Sequence, residues 1–149
     1  MNFGIAGKKA LVLGASRGLG AAIAHGLAEE GVQVFAAARG TGETTAGATI
    51  VPVIADLADR GSVAALIERI RAEGGVDILV NNTGGPKAGP AAGQSAESWT
   101  AAFEAMAISI FTITDALLPA MVERKWGRII TIGSSGVVQP IPNLALSNG

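Results

Sequence analysis

The sequence predicts an α/β fold, a doubly wound parallel sheet with helices on both faces, incomplete at the C-terminus. Three observations carry that prediction. Short apolar runs alternate with segments of helical periodicity along the chain. Those runs are apolar throughout, as strands buried on both faces must be. The first run empties into a glycine-rich turn that opens a helix, the start of a right-handed βαβ unit.

The elements follow in order. Residues 10–13 form a compact apolar run closed by Gly14, the first strand. Residues 19–30 repeat apolar side chains at helical spacing, with Ile23 and Leu27 four apart, and Gly31 supplies the stop. "VQVFAAA" (32–38) is the second strand, and the polar, Thr- and Gly-rich stretch 40–47 is expected to be a mobile loop. "TIVPVIA" (49–55) is the third strand, and Pro52 places it at a sheet edge because proline cannot donate to a ladder. Val63, Leu66, Ile67 and Ile70 share one helical face, with Asp59 or Ser62 as its N-cap. Residues 76–80 form the fourth strand, 96–123 a long helix with a stripe of Phe103, Ile110, Ile113 and Leu117, and 127–133 the fifth strand. Trp99 and Trp126 are expected to pack the ends of that helix. Sixteen residues follow the last strand with no pattern for a second covering helix. The chain therefore reads as one dinucleotide-binding domain over 1–149, the N-terminal part of a longer protein.

Composition narrows the function. Charged residues are 15% of the 149 and hydrophobic residues 49%, so there is much to bury and little polar surface to cover it. A net charge of −1 offers no electrostatic footprint for nucleic acid. Without cysteine there is no disulfide, thiolate nucleophile or cysteine metal site, which fits a cytoplasmic location. The oily region 105–121 is interrupted by Ser109, Thr112, Thr114, Asp115 and Pro119 and reads as a buried helix, not a membrane span. His25, the single histidine, reads as a solvated helix residue, and no metal site is expected.

The turn "LGASRGLG" holds the most specific signal. Gly14, Ser16, Arg17, Gly18, Leu19 and Gly20 stand between a strand and a helix. Glycine there permits positive φ and close approach of backbone to a pyrophosphate. The helix that follows presents N–H groups and the positive end of its dipole to the anion. Packing alone can also require such a turn, but its place after the first strand favours a Rossmann-type dinucleotide site. At the end of the second strand, where a carboxylate would bond a ribose 2′-hydroxyl, the sequence has Arg39. A guanidinium grips a 2′-phosphate, and Arg17 adds a second positive charge, so the expected cofactor is NADP(H).

With "GASRGLG" (14–20), "AD" (55–56), "NNTG" (81–84) and "GRIITIGSS" (127–135) in this order, the chain resembles the short-chain dehydrogenases/reductases, and within them the 3-oxoacyl-carrier-protein-reductase-like branch. The resemblance implies that Asp56 and Leu57 contact the adenine. It places Asn82, Thr83 and Gly84 along the cofactor ribose, with Asn81 bracing the sheet. It implies a homo-oligomer acting on a small carbonyl or alcohol. It also implies a catalytic Asn, Ser, Tyr and Lys. Anchored on "GRIITIG", the serine is Ser134, the tyrosine position holds Ser147, and the asparagine position, seven after Trp99, holds Met106. The lysine would fall at position 151. A slip of one residue gives Ser135 and Asn148, which supply no phenol either. A serine hydroxyl is a far weaker acid than a phenol, whose reference pKa is about 10. The expectation is an atypical NADP(H)-binding oxidoreductase, impaired or inactive as this chain. The alternative is a nucleotide-binding or scaffold module without chemistry.

Overall fold

The computed structural model describes residues 3–40 and 49–148. Most of the expected polar loop at 40–47 lies outside them. Five strands, β1 (Lys9–Leu13), β2 (Gln33–Ala38), β3 (Ile50–Ile54), β4 (Ile78–Asn81) and β5 (Arg128–Thr131), form one sheet in the order β3-β2-β1-β4-β5. Every pairing is parallel. The chain winds outward from β1 through β2 to β3, then returns to place β4 and β5 on the other side. The strand order therefore reverses between β1 and β4, and a doubly wound sheet binds ligands beyond the strand ends at such a switch point. β3 is an edge strand, as Pro52 requires.

The strand side chains alternate between two cores. Leu11 and Leu13 of β1, with Phe35 and Leu79, pack against Val63, Leu66 and Ile70 of α2 (Arg60–Ala72) and Ile113, Leu117 and Met121 of α4 (Ser109–Glu123). Ala10 and Val12 point the other way and join Val34, Ile78 and Val80 under Ala24, Ile23 and Leu27 of α1 (Gly18–Glu29). α1 ends as its glycine predicts. Gly31 takes φ +79° and donates to Ala28 O, while Val32 N reaches back to Leu27 O, satisfying two carbonyls that the helix leaves open. Of the two cap candidates of α2, Asp59 is the N-cap and Ser62 lies inside the helix. Asp59 Oδ1 accepts from Ser62 N at 2.6 Å, and Ser62 Oγ accepts from Asp56 N at 2.8 Å.

The long helix departs from expectation at its centre. It runs as α3 (Ala96–Phe103), a π-helical turn (Glu104–Ile108) and α4. A π-turn takes one more residue than an α-turn, so the face before it is displaced by one position. Phe103, expected on the buried stripe, is 57% exposed, and its neighbour Ala102 is buried instead. The 28 residues of 96–123 are long and apolar enough to cross a membrane, a test that core helices also pass, and here one face lies on the sheet. Phe111, Leu118 and Val122 are exposed on the other. Trp126, expected to pack a helix end, lies beside the second core between Lys8 and Arg128, whose cationic groups sit 4.5 and 4.8 Å from its ring. β5 is exposed along its whole length. After it come a 3₁₀ turn (Ser135–Val137) and a single helical turn, α5 (Ala145–Asn148). That tail is stitched to the segment after β4 by Gly89 N to Asn143 O at 2.6 Å and Ala145 N to Gly89 O at 3.2 Å.

Candidate functional site

The C-terminal ends of β1, β2, β3 and β4 open into one cavity of about 610 Å³ at the switch point. The glycine-rich turn contributes Gly14, Ser16, Arg17, Gly18, Leu19 and Gly20 to its lining. Arg39 enters from the end of β2, Asp56 and Leu57 from β3, and Asn82, Thr83 and Gly84 from β4. All twelve residues singled out in the sequence for a cofactor thus meet around one space. Ser98, Ala101, Ala102, Ala105 and Met106 close the far wall, with Pro86 and Leu146. Of that wall, the sequence reading had placed Met106 in the site and none of the others. The small residues at 98, 101, 102 and 105, spaced at three and four, were its available signal.

The turn is shaped by backbone contact. Gly14 adopts φ +61°, and a Cβ there would stand 2.6 Å from Asn82 O. A Cβ on Gly20 would collide with the Gly14 carbonyl and lie 2.8 Å from Asn82 Nδ2. Gly18, at φ +56°, has open space around its Cβ position. Asn82 holds the arrangement from across the sheet, its Nδ2 donating to Leu13 O at 3.2 Å and Gly14 O at 3.3 Å. Its side chain therefore braces the loop it faces. Asn81 is buried beside it, and its Nδ2 donates to Thr114 Oγ1 and Thr131 Oγ1 at 3.3 and 3.5 Å, tying β4 to α4 and β5.

The start of α1 differs from the starts of α2 and α3. Asp59 caps α2 and Ser95 caps α3 through their side chains, whereas Arg17 gives α1 no side-chain cap. The helix with its N-terminus on the cavity is thus the one whose first turn is left for another acceptor, and the dipole there favours an anion. Arg17 and Arg39 are both exposed at this end. Asp56 is spent on its own turn, where its Oδ1 accepts from Ala58 N at 3.0 Å and fixes how Leu57 faces the cavity.

The catalytic positions do not converge in the same way. Met106 lies in the π-turn and lines the cavity, offering a thioether where the resemblance implies a carboxamide. Ser134 is exposed off the cavity wall, and its Oγ accepts from Gly136 N at 3.1 Å as the cap of the 3₁₀ turn. Ser147 is half-buried on α5, and its neighbour Leu146 takes the place on the wall. Asn148 is bound to Ile141 through both ends of its amide. Among the described residues there is no cluster of three or more His, Cys, Asp or Glu suited to a metal ion.

Comparison with known proteins agrees with the fold. A family model described as short chain dehydrogenase matches residues 8–146. The 3-oxoacyl-[acyl-carrier-protein] reductase FabG of Escherichia coli is 41% identical over 140 residues, covering 90% of this chain and 57% of that protein. A putative ketoacyl reductase of Streptomyces coelicolor is 37% identical over 163 residues, covering 94% of this chain and 59% of that protein. Among solved structures, a putative NAD(P)-dependent gluconate 5-dehydrogenase from Beutenbergia cavernae with bound NADP superposes with a TM-score of 0.90 at 34% identity, covering 99% of this chain and 62% of that one. The L-sorbose reductase of Gluconobacter frateurii, complexed with NADPH and L-sorbose, gives a TM-score of 0.90 at 32% identity, covering 99% and 60%. The chain therefore spans 57–62% of the length of these relatives. It belongs to the short-chain dehydrogenase family.

Proposed function

We propose that the cleft binds NADP(H), and that the chain is the cofactor-binding domain of an oxidoreductase acting on a small carbonyl or alcohol. The observation that carries this is the convergence of the glycine-rich turn, Arg39, Asp56–Leu57 and Asn82–Gly84 on one cavity at the uncapped start of α1. The two relatives just described whose structures hold NADP and NADPH support the choice of nucleotide. The pyrophosphate would rest on the turn from Gly14 to Gly20. Arg39, helped by Arg17, would grip the 2′-phosphate, which carries charge that a carboxylate at this point would repel. Leu57 would flank the adenine, and Asn82, Thr83 and Gly84 the ribose. A nucleotide held by these residues would supply hydride chemistry, reducing a carbonyl carbon or oxidising the carbon of an alcohol.

The chain's own residues supply little more. Proton donation by a positioned acid contributes about 10²–10⁴-fold in rate. Ser134 and Ser147 are the hydroxyls at the expected places, and neither lines the cavity. The reading is thus of an atypical member, impaired or inactive in this chain. A second reading, a nucleotide-binding or scaffold module without chemistry, is favoured by Met106 standing where a proton relay would begin. NADPH oxidation in the presence of 3-oxoacyl thioesters or keto-sugars, above the rate without them, separates the two. The exposed Phe103, Phe111, Leu118 and Val122, with Ile129 and Ile130 on β5, favour self-association. The reading includes a soluble, cytoplasmic protein.

Calorimetric titration of the 149-residue chain with NADPH and NADH tests the central claim. NADPH is expected to bind about tenfold or more tightly than NADH, the worth of one charge-assisted contact. Equal affinities would remove Arg39 from the site. No heat with either nucleotide would overturn the cofactor reading.

A further inference from the structure

We infer that Arg60 and Glu104 form a clasp that fixes the distance between the two walls of the cleft, making both of them positioning residues for the nucleotide. The inference rests on the NADP(H) reading of the cavity. Arg60 opens α2, two residues after the last of the cavity-lining Asp56, Leu57 and Ala58. Glu104 opens the π-turn, directly before the cavity-lining Ala105 and Met106. The pair therefore joins the β3–α2 wall to the long-helix wall at the point where both face the same space. Its geometry is bidentate, with Arg60 Nε to Glu104 Oε1 at 2.7 Å and Nη2 to Oε2 at 2.9 Å. A planar fork meeting a carboxylate in this way fixes orientation as well as distance.

Two features set this pair apart from an ordinary surface bridge. Arg60 is a cation at the positive end of a helix dipole, where cations are disfavoured, and the acidic cap beside it, Asp59, is engaged by Ser62 N. Glu104 brings a second negative charge to that helix start from a different helix, and the bonds from Arg60 hold its carboxyl below the ordinary carboxylate range. The partner also sits on a π-turn, a rare geometry frequent at functional sites. The Arg60 side chain is 81% exposed and that of Glu104 only 21%. The carboxylate is thus the fixed end, and the arginine closes over it.

An internal control lies along the same pair of helices. Arg71, the penultimate residue of α2, donates through Nη2 to Ala116 O on α4 at 3.1 Å. Neither Arg71 nor Ala116 lines the cavity. Both arginines tie α2 to the long helix, but only Arg60 does so beside the cleft.

The test compares R60Q, E104Q, the exchanged pair R60E/E104R and R71Q in three measurements. These are NADPH affinity by calorimetry, unfolding in urea, and amide hydrogen exchange of residues 104–108 without nucleotide. R60Q and E104Q are expected to weaken NADPH by about three- to fivefold, the upper range for an exposed pair. The exchanged pair should return to within about twofold, and R71Q should leave affinity unchanged while lowering the unfolding midpoint as R60Q does. Exchange at 104–108 should quicken in both single variants and slow again in the exchanged pair. The clasp is overturned if the single variants bind NADPH as the parent does, if exchanging the charges restores nothing, or if R71Q weakens binding as much as R60Q. If the parent itself binds no NADPH, the cofactor reading fails separately. Exchange then decides whether the clasp holds the π-turn, and equal exchange in parent and variants would overturn it.

Discussion

The glycine-rich turn and the segment after β5 stand at the same end of one sheet, and they are held in opposite ways. Around the turn, contacts reach far along the chain. Asn82 bonds carbonyls 68 and 69 residues away, and Gly20 fits beneath the Gly14 carbonyl only because it has no Cβ. After β5, the polar side chains spend themselves on near neighbours. Ser134 caps a turn two residues on, and Asn148 bonds Ile141 seven residues back. Val137 and Val138 of that segment are 83% and 90% exposed. A site held by the sheet is preorganised before any ligand arrives, and side chains serving local turns are not. The difference teaches that the cavity proposed to take the nucleotide is braced from a neighbouring strand, while the hydroxyls of Ser134 and Ser147 lie outside its lining.

The sharpest way to break that contrast lies within the turn itself. Gly20→Ala forces a Cβ against backbone that cannot move without shifting β1, and Gly18→Ala meets open space. The first is expected to cost about 2–3 kcal/mol in urea unfolding and to abolish NADPH binding. The second carries only the left-handed backbone penalty, about 1 kcal/mol. Equal effects of the two would show that the turn is not packed against Asn82 and the Gly14 carbonyl.

Next in size is cofactor choice. Arg39→Ala should weaken NADPH by about tenfold and leave NADH unchanged, the lower range for a charge-assisted bond at an exposed position. Titration with both nucleotides reads this directly, and parallel losses for both would assign Arg39 a structural role. Asn82→Ala removes two bonds to buried strand-end carbonyls, at an expected cost of about 1–2 kcal/mol in unfolding. NADPH affinity should fall with it, since the brace shapes the turn. Unchanged stability would mean that the β1–β4 pairing alone holds the turn in place.

How much of this was legible follows the same divide. Gly31, Pro52 and Asp59 each act through one local rule, a left-handed stop, a missing donor and a side-chain cap, and each is found doing so. That the residues assigned to the cofactor line one cavity follows from strand ends meeting at the switch point of a parallel sheet, although Asp56, Leu57 and Asn82–Gly84 were assigned through the family resemblance. The π-turn was not legible. Residues 104–108 have ordinary helical composition, and an i+5 hydrogen-bond pattern leaves no mark on sequence period until it has displaced Phe103. The second role of Asn82 and the Arg60–Glu104 pair depend on partners 44 to 69 residues distant, which no local pattern encodes. The positions of Ser134 and Ser147 were assigned by register alone, and register says nothing about where a hydroxyl points.

The smallest expected effect tests the other side of the comparison. Ser134→Ala removes an acceptor from Gly136 N on an exposed turn, and the amide can bond water in its place. Unfolding should change by no more than about 0.5 kcal/mol, and NADPH affinity should not change. The outcome matters more than its size. A severalfold loss of NADPH affinity in this variant would place Ser134 against the nucleotide once it is bound. The segment after β5 would then reorganise on binding, and its local hydrogen bonds would describe a resting arrangement that the cofactor displaces.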